Sequence, residues 1–373
     1  MTHTHWQVTT DYGFLSSEPP QHLWHQNLPA FVTTSLNITH NVTKNQPLSI
    51  ILSNYMLNPN PNDTLQVIKN CNGEQNQLLN ETMFMFFGYL ASAWIGMGNT
   101  TIPETISLPL VYLAEKVERP PMLGYAGMVL HNWQLKDKSK GFTPENIKLI
   151  FRITDLIDES WFFRVHIAIE AQAGAMLRAM VDVQDAITEE DNQAVLGHLR
   201  TMQRGLVQIT KTFHKMPELC DPDIYFQQVR PYLMSFGKDI LFEGVTPNPT
   251  PLRGGSGAQS SIVPAMLAGL GIAHQESQLT ASLQDMRPYM PREHRDFIQQ
   301  MGHSKLRDYC KQHAPLRDAY NHVLRNLITF RRAHLYYART YIFEKSTNPI
   351  GTGGTEYMSF LSKLIDETAE QLL

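Results

Sequence analysis

From about residue 155 to its end the chain carries one helix signal after another. Nowhere does an apolar–polar alternation run for the length of a strand. A half-buried strand repeats every second residue and a helix face every three or four, so the pattern selects an all-α fold. The spacing predicts helices over 161–183, 191–214, 222–236 (interrupted at Pro231), 260–271, 292–301 and 315–343. The first of these carries small residues at Ala171, Gly174 and Ala175, and the second has Thr188-Glu189-Glu190 as an acidic lead-in. A terminal helix to Leu373 follows the glycine-rich break at 351–355. The stretch 246–258, with three prolines and three glycines, reads as a loop.

The first 150 residues carry weaker signals. Asn, Thr and Pro dominate up to about residue 60, which implies irregular structure with short helices. A helical hairpin is expected over 63–70 and 81–97, then a helix over 123–136, then one opened by Pro144 after Thr143 as its N-cap. At 373 residues the chain exceeds one ordinary hydrophobic core. Two domains are expected, a small helical one over 1–150 and a large helical one over 151–373.

Composition narrows the function. A net charge of −4 without any Lys/Arg block argues against nucleic acid as the partner. The longest apolar run, Met83 to Met97, falls short of the roughly 20 residues that span a bilayer, so it reads as a buried helix and no membrane role is expected. Cys71, Cys220 and Cys310 form no metal or CxxC spacing. The N-terminus lacks the basic-then-apolar order of a signal peptide, so a cytoplasmic protein with reduced thiols is expected.

Several constellations carry possible chemistry. On the 315–343 helix, Leu327, Phe330, His334, Ala338 and Tyr341 share one apolar stripe. An imidazole there is either a hydrogen-bonded core residue or a ligand to something flat and apolar. Ala338 one turn away leaves room for a cofactor, and Arg331 one turn back suits an anionic edge, as a proximal-His helix for haem requires. Phe162 and His166 share a helix face, which reads as a distal pocket or as a half-buried helix start. Arg230 lies four residues after Phe226 and is either a carboxylate clamp or a snorkelling surface residue. The loop Gly254-Gly255-Ser256-Gly257 lacks the Gly-Lys-Ser/Thr ending of a phosphate loop and follows no strand, so a nucleotide reading is rejected. Gly351-Thr352-Gly353-Gly354-Thr355 is either a connector or a lid over a ligand.

Taken in order, these motifs resemble the indoleamine 2,3-dioxygenase family. The resemblance rests on Gly-Gly-Ser-x-x-Gln-Ser-Ser at 254–261 and on Gln284-Asp285-Met286-Arg287-Pro288-Tyr289-Met290-Pro291 followed by His294-Arg295. The Arg331-x-x-His334 pair and the 351–355 glycine run complete it. Weaker echoes run from Leu123-Gly124-Tyr125-Ala126 to Asn132-Trp133. The resemblance covers about residue 105 to the end, and the first hundred residues match nothing nameable.

The resemblance implies haem b on His334 as proximal iron ligand, with Arg331 at a propionate and Gly255 and Ser256 beside the cofactor. It places Tyr125, Phe162, Phe163, Tyr225 and Phe226 around the distal pocket, with Arg230 on a substrate carboxylate. Ser256 and Thr352 would meet the amino-acid part of the substrate. The implied reaction inserts both atoms of O2 across the indole C2–C3 bond of L-tryptophan or a close indoleamine, giving N-formylkynurenine, with an electron donor keeping the iron ferrous. Three departures stand out. His166 replaces a small hydroxyl residue and is similar to the distal His of tryptophan 2,3-dioxygenases, which can hydrogen-bond the indole N–H. Tyr225 replaces a Phe, and the Gly257-Ala258 order is inverted. Three alternatives stay open: other indole chemistry on the same fold, such as the ring rearrangement attributed to a pyrrolnitrin-pathway relative; haem binding without turnover; and a helical interaction module without haem.

Overall fold

The computed structural model describes residues 8–16, 65, 66, 69, 77–346 and 358–373. Its architecture is all-α. In chain order the helices are α1 (Gln77–Gly96), α2 (Glu104–Lys116), α3 (Ile157–Gln172), α4 (Gly174–Thr188), α5 (Asn192–Phe213) and α6 (Ile262–Gly269). They continue as α7 (Gln278–Gln284), α8 (Arg292–Met301), α9 (Leu306–Gln312), α10 (Ala314–Tyr341) and α11 (Met358–Ala369). The strands among the described residues are two residues long: β1 (Thr101–Ile102) parallel to β4 (Leu241–Phe242), and β2 (Gln134–Leu135) antiparallel to β3 (Ile147–Lys148).

α5 organises the bundle, packing against α3, α4 and α10. Its start is fixed by Asp191, whose carboxylate accepts the N–H groups of Gln193 and Ala194 at 3.0 and 2.9 Å, satisfying donors that a helix cannot pair internally. The 28 residues of α10 make a rod of about 42 Å that lies along it. α1 is buried without a break from Leu79 to Ala93, so it runs through the interior as the apolar run predicted. No helix among the described residues is long and apolar enough to cross a membrane.

Four expectations are corrected. The helix expected over 161–183 is two helices, broken at Ala173. The turn Thr9–Gly13 docks into the break: a Cβ on Gly13 would lie 2.0 Å from the Glu170 carbonyl oxygen, and one on Gly174 2.3 Å from that of Thr10. Only glycines permit backbones this close. The helix expected over 123–136 is a five-residue π-turn, Ala126–Leu130, after which the chain turns away. Asn132 drives that departure: its Oδ1 accepts the N–H groups of Ile150 and Phe151, and its Nδ2 donates to Tyr89 Oη and the Phe151 carbonyl. Such side-chain bonds compete with helical ones. Pro144 opens a single 3-10 turn, Pro144–Asn146, that leads into β3. The 222–236 helix becomes a graded run, α over Pro222–Ile224, π over Tyr225–Val229 and 3-10 over Arg230–Leu233. α7 and α9 were not expected. The expected 63–70 helix lies almost wholly outside the described residues.

Candidate functional site

α3, α5 and α10 converge on one group of aromatic and imidazole rings. Phe213, at the end of α5, lies against three α10 residues on one face, with ring centroids 5.7 Å from Phe330, 6.2 Å from His334 and 4.9 Å from Tyr337. Its other contact is His166 of α3, at 6.0 Å. The two histidines singled out in the sequence therefore face one half-buried space beside the Phe213 ring from different helices.

Both are held in the neutral form by the same main cause. Burial pushes the His334 imidazole down to about 4, and neighbouring His166 and Arg331 push in the same direction. It is neutral at neutral pH. Neither ring nitrogen of His334 meets a hydrogen-bond partner among the described residues, which leaves a lone pair for a ligand. His166 is also held below the usual imidazole value by burial, partly offset by its bond to the Phe162 carbonyl. That 2.8 Å bond settles its tautomer. A carbonyl only accepts, so Nδ1 carries the proton and Nε2 presents a lone pair.

The walls are aromatic. Phe162 lies 4.5 Å from the His166 ring and stacks on Tyr225 at 4.5 Å and 28°. Phe163 reaches the group edge-on through Phe162 at 5.4 Å. Tyr125 presents its edge to His166 at 6.2 Å, and its hydroxyl donates to Glu170 Oε1 at 2.8 Å. Tyr125 and Tyr225 each stand at the start of a π-turn. In such a turn the N–H bonds to the carbonyl five residues back, as Arg230 does to Tyr225, so residues five apart line up. Arg230 thereby shares a face with Tyr225 while its guanidinium carbon sits 5.3 Å from the centre of the Phe226 ring. It is buried, not snorkelling.

The glycine-rich loop closes a third side. A Cβ on Gly255 would collide with Met128 Cε at 2.1 Å, so the loop packs hard on the first π-turn. A Cβ on Gly257 would meet a single atom within 4 Å, His334 Nε2 at 3.9 Å. Ser256 caps the 3-10 turn Gly257–Gln259 by accepting the Ala258 N–H. Gln259 ties the loop inward, accepting the Tyr125 N–H at 2.8 Å and donating to the Gly254 carbonyl at 2.9 Å.

Arg331 is buried but engaged elsewhere. It donates to the Leu364 carbonyl and Thr368 Oγ1 of α11 and meets His274 Nε2 at 3.2 Å, and burial pulls it down to about 10. Thr352 lies outside the described residues. Sequence reasoning missed Phe213 and Glu170, and quoted Gln259 and Ser260 only within the 254–261 motif, without a role. Glu170 was findable, standing four residues after His166 on the same face; Phe213 sits where α5 ends and carries no local signal.

The family model for indoleamine 2,3-dioxygenase matches residues 2–371. The chain belongs to the indoleamine 2,3-dioxygenase family. It is similar to indoleamine 2,3-dioxygenase 1 of Rattus norvegicus, at 31% identity over 77% of this chain and 78% of the relative. The enzyme of the same name from Mus musculus is 30% identical over 81% of this chain and 82% of its own length. A more distant relative is a myoglobin of Haliotis madaka, 25% identical over 75% of this chain and 77% of its own. The family match begins at residue 2, so the expectation that the first hundred residues resemble nothing is corrected.

Indoleamine 2,3-dioxygenases depend on haem b. The residues fit such a group. His334 offers a neutral imidazole with uncommitted nitrogens, the loop beside its Nε2 lacks a side chain at Gly257, and aromatic rings line the space.

Proposed function

We propose that this chain opens the indole C2–C3 bond of L-tryptophan, or a close indoleamine, with O2 to give N-formylkynurenine, using haem b held by His334. The observation that carries the assignment of roles is the tautomer of His166. With Nδ1 committed to the Phe162 carbonyl, Nε2 is an acceptor facing the shared space, the polarity that an indole N–H requires. Haem supplies the oxygen chemistry when bound; the protein's part is to bind, orient and keep water out.

Each remaining residue has a task in that reading. Arg230, buried on the Tyr225 face, pairs with the substrate carboxylate, because its planar fork matches both oxygens and its burial preserves the charge's strength. The stacked Phe162–Tyr225 pair, with Phe163, Phe226 and Tyr125, forms a flat slot for an indole. Gly255 and Ser256 close the slot from the loop side, a substrate contact by Thr352 belongs to the same proposal, and Arg331 serves a propionate only by exchanging a bond it now makes to α11. An electron donor that keeps the iron ferrous, a cytoplasmic setting, and the division into domains at about residue 150 belong to the same proposal.

The test is an aerobic assay of haem-reconstituted, reduced protein with L-tryptophan, D-tryptophan and tryptamine. N-formylkynurenine from L-tryptophan, with tryptamine handled far less well because it lacks the carboxylate, is the expected result. His166→Ala is expected to keep the haem and change indole selectivity. If His166→Ala empties the protein of haem, the proximal and distal assignments are reversed. One observation favours a second reading: a relative of similar length is named a myoglobin. Reversible O2 binding with no product from any of the three indoles would establish that reading instead.

A further inference from the structure

Glu170 is a buried carboxyl that the reaction as proposed does not use. It has no solvent exposure, lies one turn beyond His166 on α3, and receives two hydrogen bonds on one oxygen: Tyr125 Oη donates to Oε1 at 2.8 Å and Ser260 Oγ at 2.7 Å. Oε2 has no hydrogen-bond partner among the described residues. The two donors come from different walls of the site, Tyr125 from the start of the first π-turn and Ser260 from the end of the glycine-rich loop. Gln259, next to Ser260, grips the Tyr125 N–H as well, so the loop and that wall are joined at two points.

We propose that Glu170 is the positioning residue that draws the glycine-rich loop and the Tyr125 wall together over the indole slot, loosely when Oε2 carries a proton and tightly when that proton leaves. The proposal rests on the tryptophan-dioxygenase reading for its kinetic consequence. Its structural part rests on geometry alone. A neutral carboxylic acid has one acceptor oxygen with two lone pairs and one hydroxyl; here both donors converge on Oε1, and the bare Oε2 is the place for the proton. Ionisation turns both contacts into charge-assisted bonds, which are shorter and stronger. Ser260 and Tyr125 move inward together, and with them the loop that carries Gly257 toward His334 Nε2.

The balance between the two states falls in the physiological range. Burial raises the Glu170 carboxyl to about 7, against the pull of the Ser260 and Tyr125 bonds. Around it, the π-turn contributes Tyr125, the loop contributes Ser260, and its own helix contributes His166 one turn back. The docked N-terminal turn brings backbone, with Gly13 against the Glu170 carbonyl. No charged side chain among the described residues contributes to its shift.

The test is an infrared pH titration of protein carrying 13C-labelled glutamate, with and without added haem, beside KM and kcat for L-tryptophan across the same range. A protonated-carboxyl band that disappears with a midpoint near pH 7, and is missing from Glu170→Gln, is the expected spectrum. KM is expected to rise several-fold as pH falls through that midpoint with kcat nearly constant. In Glu170→Gln, which mimics the neutral acid, KM should stay at the acid value at every pH. Tyr125→Phe and Ser260→Ala each remove a donor to the charged form, so each should shift the midpoint upward; these carry the test if Glu170→Gln does not fold. A titrating band retained in Glu170→Gln, or a midpoint unmoved in both donor variants, would overturn the proposal. The haem-free titration reads the carboxyl by itself, so absent tryptophan turnover with an intact band counts against the proposed function and not against the tie.

Discussion

His334 and His294 are both histidines of weak basicity, yet the chain uses them in opposite ways. His294 is pushed down to about 3 by burial, with His131 and Arg119 adding to the shift. Its Nδ1 meets Ser261 Oγ at 3.3 Å, its ring lies 4.4 Å from that of Phe14, and behind it Glu81 pairs with Arg119 and lies 3.3 Å from His131. His334 is half-buried with rings for neighbours, but its nitrogens meet no protein partner among the described residues. Low basicity follows from burial in both places and distinguishes nothing. The distinguishing property is what the ring nitrogens face: Ser261 Oγ at His294, and a glycine at His334.

The largest expected effect breaks that comparison outright. His334→Ala should abolish the Soret band of haem-reconstituted protein, whereas His294→Ala should keep it; loss of the band in both would mean that His294 supports the pocket as strongly as the ligand does. Arg230→Ala comes next. Removing one partner of a buried charge pair costs about 2–5 kcal/mol, so L-tryptophan binding should weaken by tens- to thousands-fold with an unchanged haem spectrum.

A smaller effect concerns acid stability. The folded-state value for His294 lies far below its ordinary 6.5, so between those values the unfolded chain binds the extra proton. Its contribution is complete above 6.5 and is lost as pH falls toward 3. His294→Gln cannot titrate, so between pH 6.5 and pH 4 its urea midpoint should fall less than that of the parent. The differential is about 3 kcal/mol at most, and the contributions of all other groups cancel in the comparison. The smallest effect lies at the far end of α5 from Phe213. Asp191→Ala should cost about 1 kcal/mol and lower the melting temperature by a few degrees, leaving the Soret band in place.

The proximal half of the site was legible because it obeys a period. Phe330, His334 and Ala338 sit four apart on α10, and that spacing puts the imidazole on one half-buried stripe of the helix beside its buried face. The distal half resisted for a physical reason. Its walls begin at π-turns, and a π-turn is one residue inserted into a helix, a change no side-chain pattern announces. The placing of Tyr125 and Tyr225 in the site came from family motifs, not from periodicity. The break at Ala173 was equally hidden, since its cause, the Thr9–Gly13 turn, comes from another part of the chain. Ser277, by contrast, was an available signal overlooked: it caps α7 in a reciprocal pair with Thr280.

That docked turn has a consequence for how the molecule is made. Phe14 and Leu15 are fully buried, and this segment's contacts include Leu130, Glu170, Gly174, His294 and Phe297, all more than a hundred residues further along. At a ribosomal pace of roughly 5–20 residues per second, the residues of this turn wait on the order of tens of seconds for their last partners. Through that interval two large apolar side chains stand exposed on a growing chain. A segment made early is then among the last to be seated, and its seating closes a ring of contacts spanning most of the sequence.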